Sequence, residues 1–218
     1  MKIIPAINCT EFEDVEARFK RCERLFKELE IEDPWVQLDI SDGTFTRGHQ
    51  SWLELEKLTK LKRSFKIEAH IMATFPETLA KKALEFGCER IILHAESSFD
   101  IAIIKALIEK HNAELCFAIE PRTKAEKLYP FLLKDITRRV MFLSVIPGLS
   151  GQPFKEHVYK EIEKLSEKFP DVTIEVDGGA SIEVVKLCKR AGASEFAVGS
   201  YLFRPRDINV SYQELSEI

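Results

Sequence analysis

The sequence predicts an α/β fold, namely a single (β/α)8 barrel of the TIM type that occupies residues 1–218. Three observations predict it. Short apolar runs recur along the chain, amphipathic stretches with helical spacing lie between them, and polar residues collect where the runs end. An open doubly wound sheet can be written with the same alternation, so the placement of the polar residues has to decide between the two.

Eight segments are predicted to be strands because they are rich in β-branched and other apolar residues. They are continuous rather than alternating apolar runs, which is typical of parallel strands covered on both faces. In chain order they are residues 2–7, 35–40, 65–71, 90–94, 114–119, 140–145, 172–176 and 195–198.

A helix is expected after each strand, because apolar residues between the strands repeat every three or four positions. One such set is Val15, Phe19, Cys22 and Phe26. Pro76 is typical of a helix first turn, and Gly87 and Gly192 lie where helices are expected to stop. No change of composition and no Pro/Gly/Ser-rich linker interrupts the alternation, which favours one domain.

Composition indicates a soluble globular protein, with 45% hydrophobic residues, 31% charged residues and a formal net charge of -4. Basic residues are interspersed with acidic ones, as in Lys81 and Lys82 near Glu77 and Glu85, so we expect no nucleic-acid partner. No stretch approaches the roughly 20 apolar residues that cross a bilayer, so we expect no membrane partner.

The five cysteines lack CxxC spacing, which argues against a disulfide framework or a zinc knuckle and favours a reducing compartment. The apolar run near the first residue is too short for a signal sequence and has no basic flank. We therefore expect a cytoplasmic protein.

Polar side chains follow several predicted strands, where the active sites of barrels lie. Gln37 and Asp39 end the second strand and point the same way, His70 lies at the end of the third, and Asp177 follows the seventh. A single aspartate at a strand end is more often a helix cap or a turn residue, which suits Asp42 before Gly43 and also fits Asp177. Two carboxylates and a histidine that converge on one rim favour catalysis instead.

Glycines form a second group, in the loops after the last three strands. Glycine lets the backbone approach an anion and expose bare N–H groups, and the late loops of barrels recurrently bind phosphate. The segments contain Gly148, Leu149, Ser150, Gly151 and Gln152, then Gly178 and Gly179, then Gly199 and Ser200. A phosphate monoester is the predicted ligand, although turns alone also require glycine.

Several segments resemble the ribulose-phosphate 3-epimerase family, in order and over essentially the whole chain. The most specific are the loop after the sixth strand and the Asp-Gly-Gly after the seventh. The matching segments are Ile4-Pro5-Ala6-Ile7, Leu38-Asp39-Ile40-Ser41-Asp42-Gly43, Ala69-His70-Ile71-Met72 with Pro76-Glu77, residues 144–152, Glu175-Val176-Asp177-Gly178-Gly179, and Gly199-Ser200 followed by Phe203. The resemblance implies a ribulose-phosphate-binding barrel and a homo-oligomer.

The resemblance also implies an activity, the inversion of carbon 3 of a ketose phosphate such as ribulose 5-phosphate through an enediolate. Asp39 and Asp177 would be the paired acid and base. A divalent metal ion (zinc, iron, manganese or magnesium) would be held by Asp39, His70 and Asp177. Cys9, His70 and Met72 would join the glycine loops in binding the phosphosugar.

The sequence departs from the family at the metal site. The family has a second histidine two residues before the first catalytic aspartate, and Gln37 stands there in this chain. A glutamine oxygen is a weaker ligand than imidazole for zinc or iron, so we expect lower affinity or a preference for a harder ion such as magnesium or manganese.

The pocket also differs. Cys9 replaces a substrate-contacting serine, and it can lie at the mouth or, as free cysteines more commonly do, inside the core. Ser41 and Leu143 replace two methionines that lie over the enediolate, which leaves Met72. Arg122 replaces a small residue and can bind an anionic group or pair with Glu120.

Two other functions fit the same residues. One is another phosphate-binding barrel enzyme, such as a ketose-phosphate lyase, aldolase or isomerase, because fold analogy does not separate these reactions. The other is a noncatalytic phosphosugar-binding protein, although a pure binder gains little from two carboxylates beside an anionic ligand.

Overall fold

Eight parallel strands close into a barrel in the structure, a computed structural model that describes residues 1–204 and 207–218. Each strand pairs with the next along the chain, and the eighth pairs with the first. The strands are β1 (Lys2–Ile7), β2 (Trp35–Ser41), β3 (Lys66–Met72), β4 (Arg90–His94), β5 (Glu114–Ile119), β6 (Arg139–Leu143), β7 (Thr173–Asp177) and β8 (Glu195–Val198). The predicted fold class is confirmed, and the open sheet is excluded.

Helices cover the outside of the barrel. They are α1 (Phe12–Glu28), α2 (Glu77–Glu85), α3 (Ile101–His111), α4 (Tyr129–Leu133), α5 (Val158–Lys168), α6 (Ile182–Arg190), α7 (Ser200–Phe203) and α8 (Ile208–Ser216). Gly87 and Gly192 follow the ends of α2 and α6 with φ of 98° and 111°, as predicted for helix stops. Within the described part of the chain, no helix is both long and apolar enough to cross a membrane.

The prediction of a helix after every strand was wrong after β2. Asp42 accepts a hydrogen bond from the Thr44 amide at 2.9 Å and so makes the turn that its position before Gly43 predicts. Gly43 and Gly48 take positive φ, and a bridge joins Asp42 to Gln50, so this segment is a loop. A 3-10 helix (Leu55–Lys60) takes the place of the expected α-helix.

Strand boundaries differ from the predicted ones by one or two residues. β6 ends at Leu143, not at Val145, because the Ser144 carbonyl accepts from the Lys155 amide, at the far end of the following loop. β2, β3 and β7 each extend one residue further toward the carboxyl end than predicted, while β3 and β7 also begin one residue later. Such shifts are ordinary at element ends.

Strand residues alternate between the two faces of the barrel wall. On β2, Val36, Leu38 and Ile40 belong to the large apolar core between barrel and helices. A separate small cluster of Ile92, Cys116, Ala118 and Met141 fills the middle of the barrel. The lumen is therefore packed rather than open, as is usual for this fold.

Ionised groups fill the amino-terminal end of the lumen. The Arg90 side chain is 1% exposed, pairs with Glu68, and lies 2.9 Å from a Glu114 oxygen. Its guanidinium also stacks 4.0 Å from the centre of the Trp35 ring. Arg139 pairs with Glu195 at 2.5 Å. In the described part of the structure this layer fills the amino-terminal end of the barrel, which leaves the carboxyl ends of the strands as the open side.

Candidate active site

A cavity of about 250 Å³ opens at the carboxyl ends of the strands. Asp39 of β2 and Asp177 of β7 line its floor, and the loops after β6, β7 and β8 line its wall. The strand register explains the convergence, because Asp39 is paired with His70 of β3 and Asp177 with Leu143 of β6. Residues far apart in the chain therefore meet at one level of the barrel.

The two aspartates are joined by one amide. Gln37 Nε2 donates to Asp39 Oδ1 at 2.7 Å and to Asp177 Oδ2 at 3.0 Å. His70 Nδ1 lies 3.4 Å and 3.2 Å from the same two oxygens. Both aspartates are buried, with 8% and 7% exposure, and Gln37 and His70 are fully buried. Four polar side chains thus surround a single point.

Burial and charge shift the protonation of this group. Burial raises the pKa of the Asp39 carboxyl, which outweighs the opposing effect of His70. Burial alone would lower the pKa of His70, but the Asp177 and Asp39 carboxylates outweigh it and raise that pKa to about 9. At neutral pH an imidazolium therefore balances the negative charge of the pair.

A second histidine lies behind His70. His70 Nε2 and His94 Nε2 are 2.9 Å apart, and His94 Nδ1 lies 3.5 Å from Glu96 Oε2. Burial lowers the pKa of His94, so its neutral ring can accept from the charged His70. Phe45 packs on His94 with ring centres 4.5 Å apart. This chain of contacts fixes the orientation of His70.

The glycine loops pack closely against one another. Gly179 has a φ of 61°, and a Cβ there would lie 2.5 Å from the Phe154 amide nitrogen. Gly178 has a φ of 98°, and its Cβ would lie 2.6 Å from the Val145 side chain. Both positions require glycine for loop packing. The same absence of side chains leaves the backbone of this wall open to the cavity.

Hydrogen bonds hold the loop after β6 in place. Asn8 Nδ2 donates to the Gly148 carbonyl at 2.9 Å, from the loop after β1. Gln152 Nε2 donates to the carbonyls of Ile146 and Leu149 at 2.6 Å and 2.8 Å. Gln152 therefore organises its own loop through its side chain.

Most of the residues predicted for the site line the cavity. They are Asp39, Met72, Gly148, Leu149, Ser150, Gly151, Gln152, Asp177, Gly178, Gly179, Gly199 and Ser200. Leu143, which stands where the family has a methionine, also lines the cavity.

Other predicted residues lie elsewhere. His70 is behind the carboxylates, and Cys9 belongs to the outer core, where burial raises the pKa of its thiol. Ser41 bonds to Thr46 and to the His49 carbonyl, and thereby holds the loop after β2. Arg122 is exposed and does not line the cavity.

Sequence reasoning missed several residues that line the cavity or support it. Asn8, Arg18, Phe203 and Arg204 line it, and His94 supports His70. Phe203 falls in a segment that resembles the family and Asn8 directly follows one, so both could have been found there. Arg18 carries no such signal, because it lies outside the apolar face of α1 that Val15, Phe19 and Cys22 mark, where an arginine is ordinarily exposed to solvent.

The donor set fits a divalent metal ion. Asp39, His70 and Asp177 offer ligand atoms that all lie within 4.8 Å of one another. Gln37 Oε1 is buried and has no hydrogen-bond partner within the described residues. Since the two ends of an amide have the same shape, a half-turn of this side chain would direct Oε1 to the common point as a fourth ligand. Two carboxylates and an amide oxygen favour a hard ion.

Solved structures with similar folds include that of 3-hexulose-6-phosphate synthase, with a TM-score of 0.67 and 16% identity over 100% of this chain and 99% of the other. The structure of KGPDC from Streptococcus mutans in complex with D-R5P gives a TM-score of 0.68 and 16% identity over 99% and 95%. These likenesses extend to the fold alone.

Sequence comparison is more specific. The cytoplasmic isoform of ribulose-phosphate 3-epimerase from Oryza sativa subsp. japonica is 28% identical over 212 residues, covering 93% of this chain and 87% of the rice protein. Ribulose-phosphate 3-epimerase from Aquifex aeolicus (strain VF5) is 29% identical over 187 residues, covering 84% and 83%. The profile of the ribulose-phosphate 3 epimerase family matches residues 11–203, and the chain therefore belongs to that family.

Proposed function

We propose that the protein is an isomerase that inverts carbon 3 of a ketose phosphate such as ribulose 5-phosphate. One observation carries this proposal: two buried carboxylates, from β2 and β7, face the same cavity and are joined by one amide. The names of the curated relatives support the same reaction. Inversion needs an acid and a base on opposite faces of a planar enediolate, and paired carboxylates can supply both.

In the proposed reaction, one aspartate removes the proton from carbon 3 and the other returns a proton to the opposite face. Burial raises the pKa of the Asp39 carboxyl, so this group binds a proton more readily than an ordinary aspartate does, as a residue that accepts and returns a proton requires. His70 holds both carboxylates in place and balances their charge. Gln37 keeps their oxygens at a fixed separation.

Asp39, His70 and Asp177 would also hold a divalent metal ion, with Gln37 Oε1 as the fourth ligand. When bound, such an ion polarises the substrate carbonyl and stabilises the negative charge of the enediolate. Because Gln37 Nε2 donates to both carboxylates and His70 is protonated at neutral pH, metal binding requires that the amide turn and that His70 release its proton. We therefore infer weaker zinc and iron binding than a histidine at this position would give.

The glycine loops would bind the phosphate of the substrate. Gly148 and Gly151 in the loop after β6, Gly179 after β7, and Gly199 with Ser200 after β8 border one side of the cavity. Binding energy from this remote group would position carbon 3 between the aspartates. We infer a phosphosugar ligand, a cytoplasmic location and a homo-oligomeric assembly. Sedimentation analysis of the purified protein can test the assembly.

Other reactions on the same fold are less well supported. No lysine lines the cavity among the residues described, so the site offers no side-chain amine for a Schiff-base aldolase. A noncatalytic binding protein would gain little from Asp39 and Asp177, because two carboxylates do not favour the binding of an anionic ligand.

Proton exchange in heavy water tests the proposal. Purified protein is incubated with ribulose 5-phosphate, with and without added magnesium, manganese or zinc, and the carbon-3 proton is followed by NMR. We expect loss of that signal together with the appearance of the epimer. Bond cleavage would instead indicate a lyase or aldolase, and saturable binding without exchange would indicate a binding protein.

A further inference from the structure

Arg18 of α1 lies at the edge of the cavity beside the loop after β8. Its side chain lines the cavity together with Gly199 and Ser200. Arg18 Nη1 donates to the Asn8 carbonyl at 3.4 Å, and its guanidinium lies 5.0 Å from the centre of the Phe203 ring. The side chain is thus held between the loop after β1 and the end of α7.

Arg18 has no acidic ion-pair partner among the residues that the structure describes. Arg90 and Arg139, inside the barrel, do form ion pairs. The charged residues that line the cavity are the two aspartates on the floor and Arg18 with Arg204 at the wall. Negative and positive charge are therefore separated, and the positive side is the one formed by the glycine loops.

Phe203 positions the arginine. Arg21, one turn further along α1, approaches the same ring at 5.2 Å and donates to the Phe203 carbonyl at 3.4 Å. Unlike Arg18, Arg21 does not line the cavity. The two arginines hold Phe203, and the ring in turn limits the motion of the Arg18 guanidinium. A guanidinium that is fixed before binding loses less conformational entropy on contact with a ligand.

We propose that Arg18 is a specificity-determining residue that binds the phosphate of the substrate through its guanidinium, alongside the backbone amides of the glycine loops. A guanidinium presents several N–H donors in a plane and can engage two phosphate oxygens at once. This assignment rests on the proposed function, since it assumes a phosphorylated substrate. In this role, Arg18 would let the site distinguish a phosphosugar from the free sugar by a side-chain charge as well as by backbone amides.

The test uses inorganic phosphate as the probe, titrated calorimetrically into the full-length protein at fixed ionic strength. We expect Arg18→Ala to weaken phosphate binding at least about tenfold, which corresponds to about 1.4 kcal/mol, and Arg18→Lys to weaken it less. Arg21→Ala is the matched control, because it removes the other contact to Phe203 but changes a residue that does not itself line the cavity. We expect it to alter binding by less than about twofold.

Kinetics give a second readout. For ribulose 5-phosphate, we expect Arg18→Ala to raise KM much more than it lowers kcat, because the lost contact is remote from carbon 3. Thermal unfolding of each variant shows whether the fold is kept. Phosphate affinity within about twofold of the native value in Arg18→Ala would overturn the assignment, as would equal losses in Arg18→Ala and Arg21→Ala, which would place the effect in Phe203.

The same experiments separate this assignment from the epimerase proposal. If the native protein binds phosphate through Arg18 but exchanges no carbon-3 proton, the epimerase proposal fails and the role of Arg18 stands. If the protein epimerises its substrate and Arg18→Ala binds phosphate normally, the reverse holds.

Discussion

Asp39 Oδ1 and Asp177 Oδ2 both accept a hydrogen bond from a single nitrogen, Nε2 of Gln37. Strands β2 and β7 are not neighbours in the barrel, so this amide links two side chains across the lumen. The linkage fixes the separation of the two groups that the proposed reaction needs, and it places the weakest predicted metal ligand at the centre of the site.

Replacement of Asp177 by asparagine tests the carboxylate pair. We expect turnover of ribulose 5-phosphate to fall about 10²- to 10⁴-fold, because the amide can neither accept nor return a proton. Phosphate affinity should stay within roughly tenfold, because the carboxylate acts chiefly in the transition state. Asp171→Asn, at an exposed aspartate before β7, serves as the control. Unchanged turnover in Asp177→Asn would remove this residue from the mechanism.

The change Gln37→His tests the metal site. Imidazole is a better ligand than an amide oxygen for zinc and iron, so the variant should retain more of either metal than the native protein. The measurement is metal content by mass spectrometry after chelation, reloading and dialysis. Gln50→His adds a histidine at an exposed position outside the cavity and controls for nonspecific binding. No gain of metal in Gln37→His would mean that residue 37 does not face the ion.

Glu175 of β7 is buried next to Glu195 of β8, with which it is paired in the barrel, and it predicts a pH-dependent stability. Burial, followed by the charge of Glu68, raises the pKa of the Glu175 carboxyl well above its ordinary value of 4.5. Because the folded protein holds this proton and the unfolded chain releases it, the contribution of Glu175 to stability is full below pH 4.5 and is lost as pH rises toward the folded pKa.

The variant Glu175→Gln keeps a neutral side chain at every pH. It should therefore gain stability over the native protein as pH rises, by about 1 to 3 kcal/mol at pH 7, with little difference at pH 4.5. Glu68→Gln should instead destabilise the protein by about 3 kcal/mol, because it removes a partner of the buried Arg90. Denaturant unfolding at both pH values measures each effect. A constant loss in Glu175→Gln would show that this carboxyl is ionised when folded.

Gly179→Ala tests the packing of the wall. The new Cβ would lie 2.5 Å from the Phe154 nitrogen, so the loop after β7 must move. We expect a loss of about 1 to 3 kcal/mol in stability and weaker phosphate binding. Gly151→Ala is the matched control, since its φ of 78° carries backbone strain but no atom lies within 4 Å of its Cβ. Equal effects in both variants would assign the loss to backbone strain alone.

The pattern of apolar residues along the chain was sufficient to predict the strands and the end of the barrel at which their carboxyl ends lie. Continuous apolar runs recur eight times, and parallel strands joined in one direction bring all their carboxyl ends to the same edge. Asp39 and Asp177 could therefore be placed on one rim from their positions in the chain. The turn at Asp42 and Gly43 was predicted, but the full loop after β2 was not, because it depends on contacts between residues further apart. These are the hydrogen bond from Ser41 to the His49 carbonyl and the bridge between Asp42 and Gln50.

The sequence by itself determined the order of the elements and the end of the barrel where chemistry can occur, because both follow from side-chain periodicity and chain direction. Tertiary structure alone decided which side chains touch. Three features depend on the register at which the barrel closes and on the packing of α1: the contact of Gln37 with both aspartates, that of His70 with His94, and the position of Arg18 at the cavity. Register and packing are set by interactions among all eight strands, and no local stretch of residues encodes them.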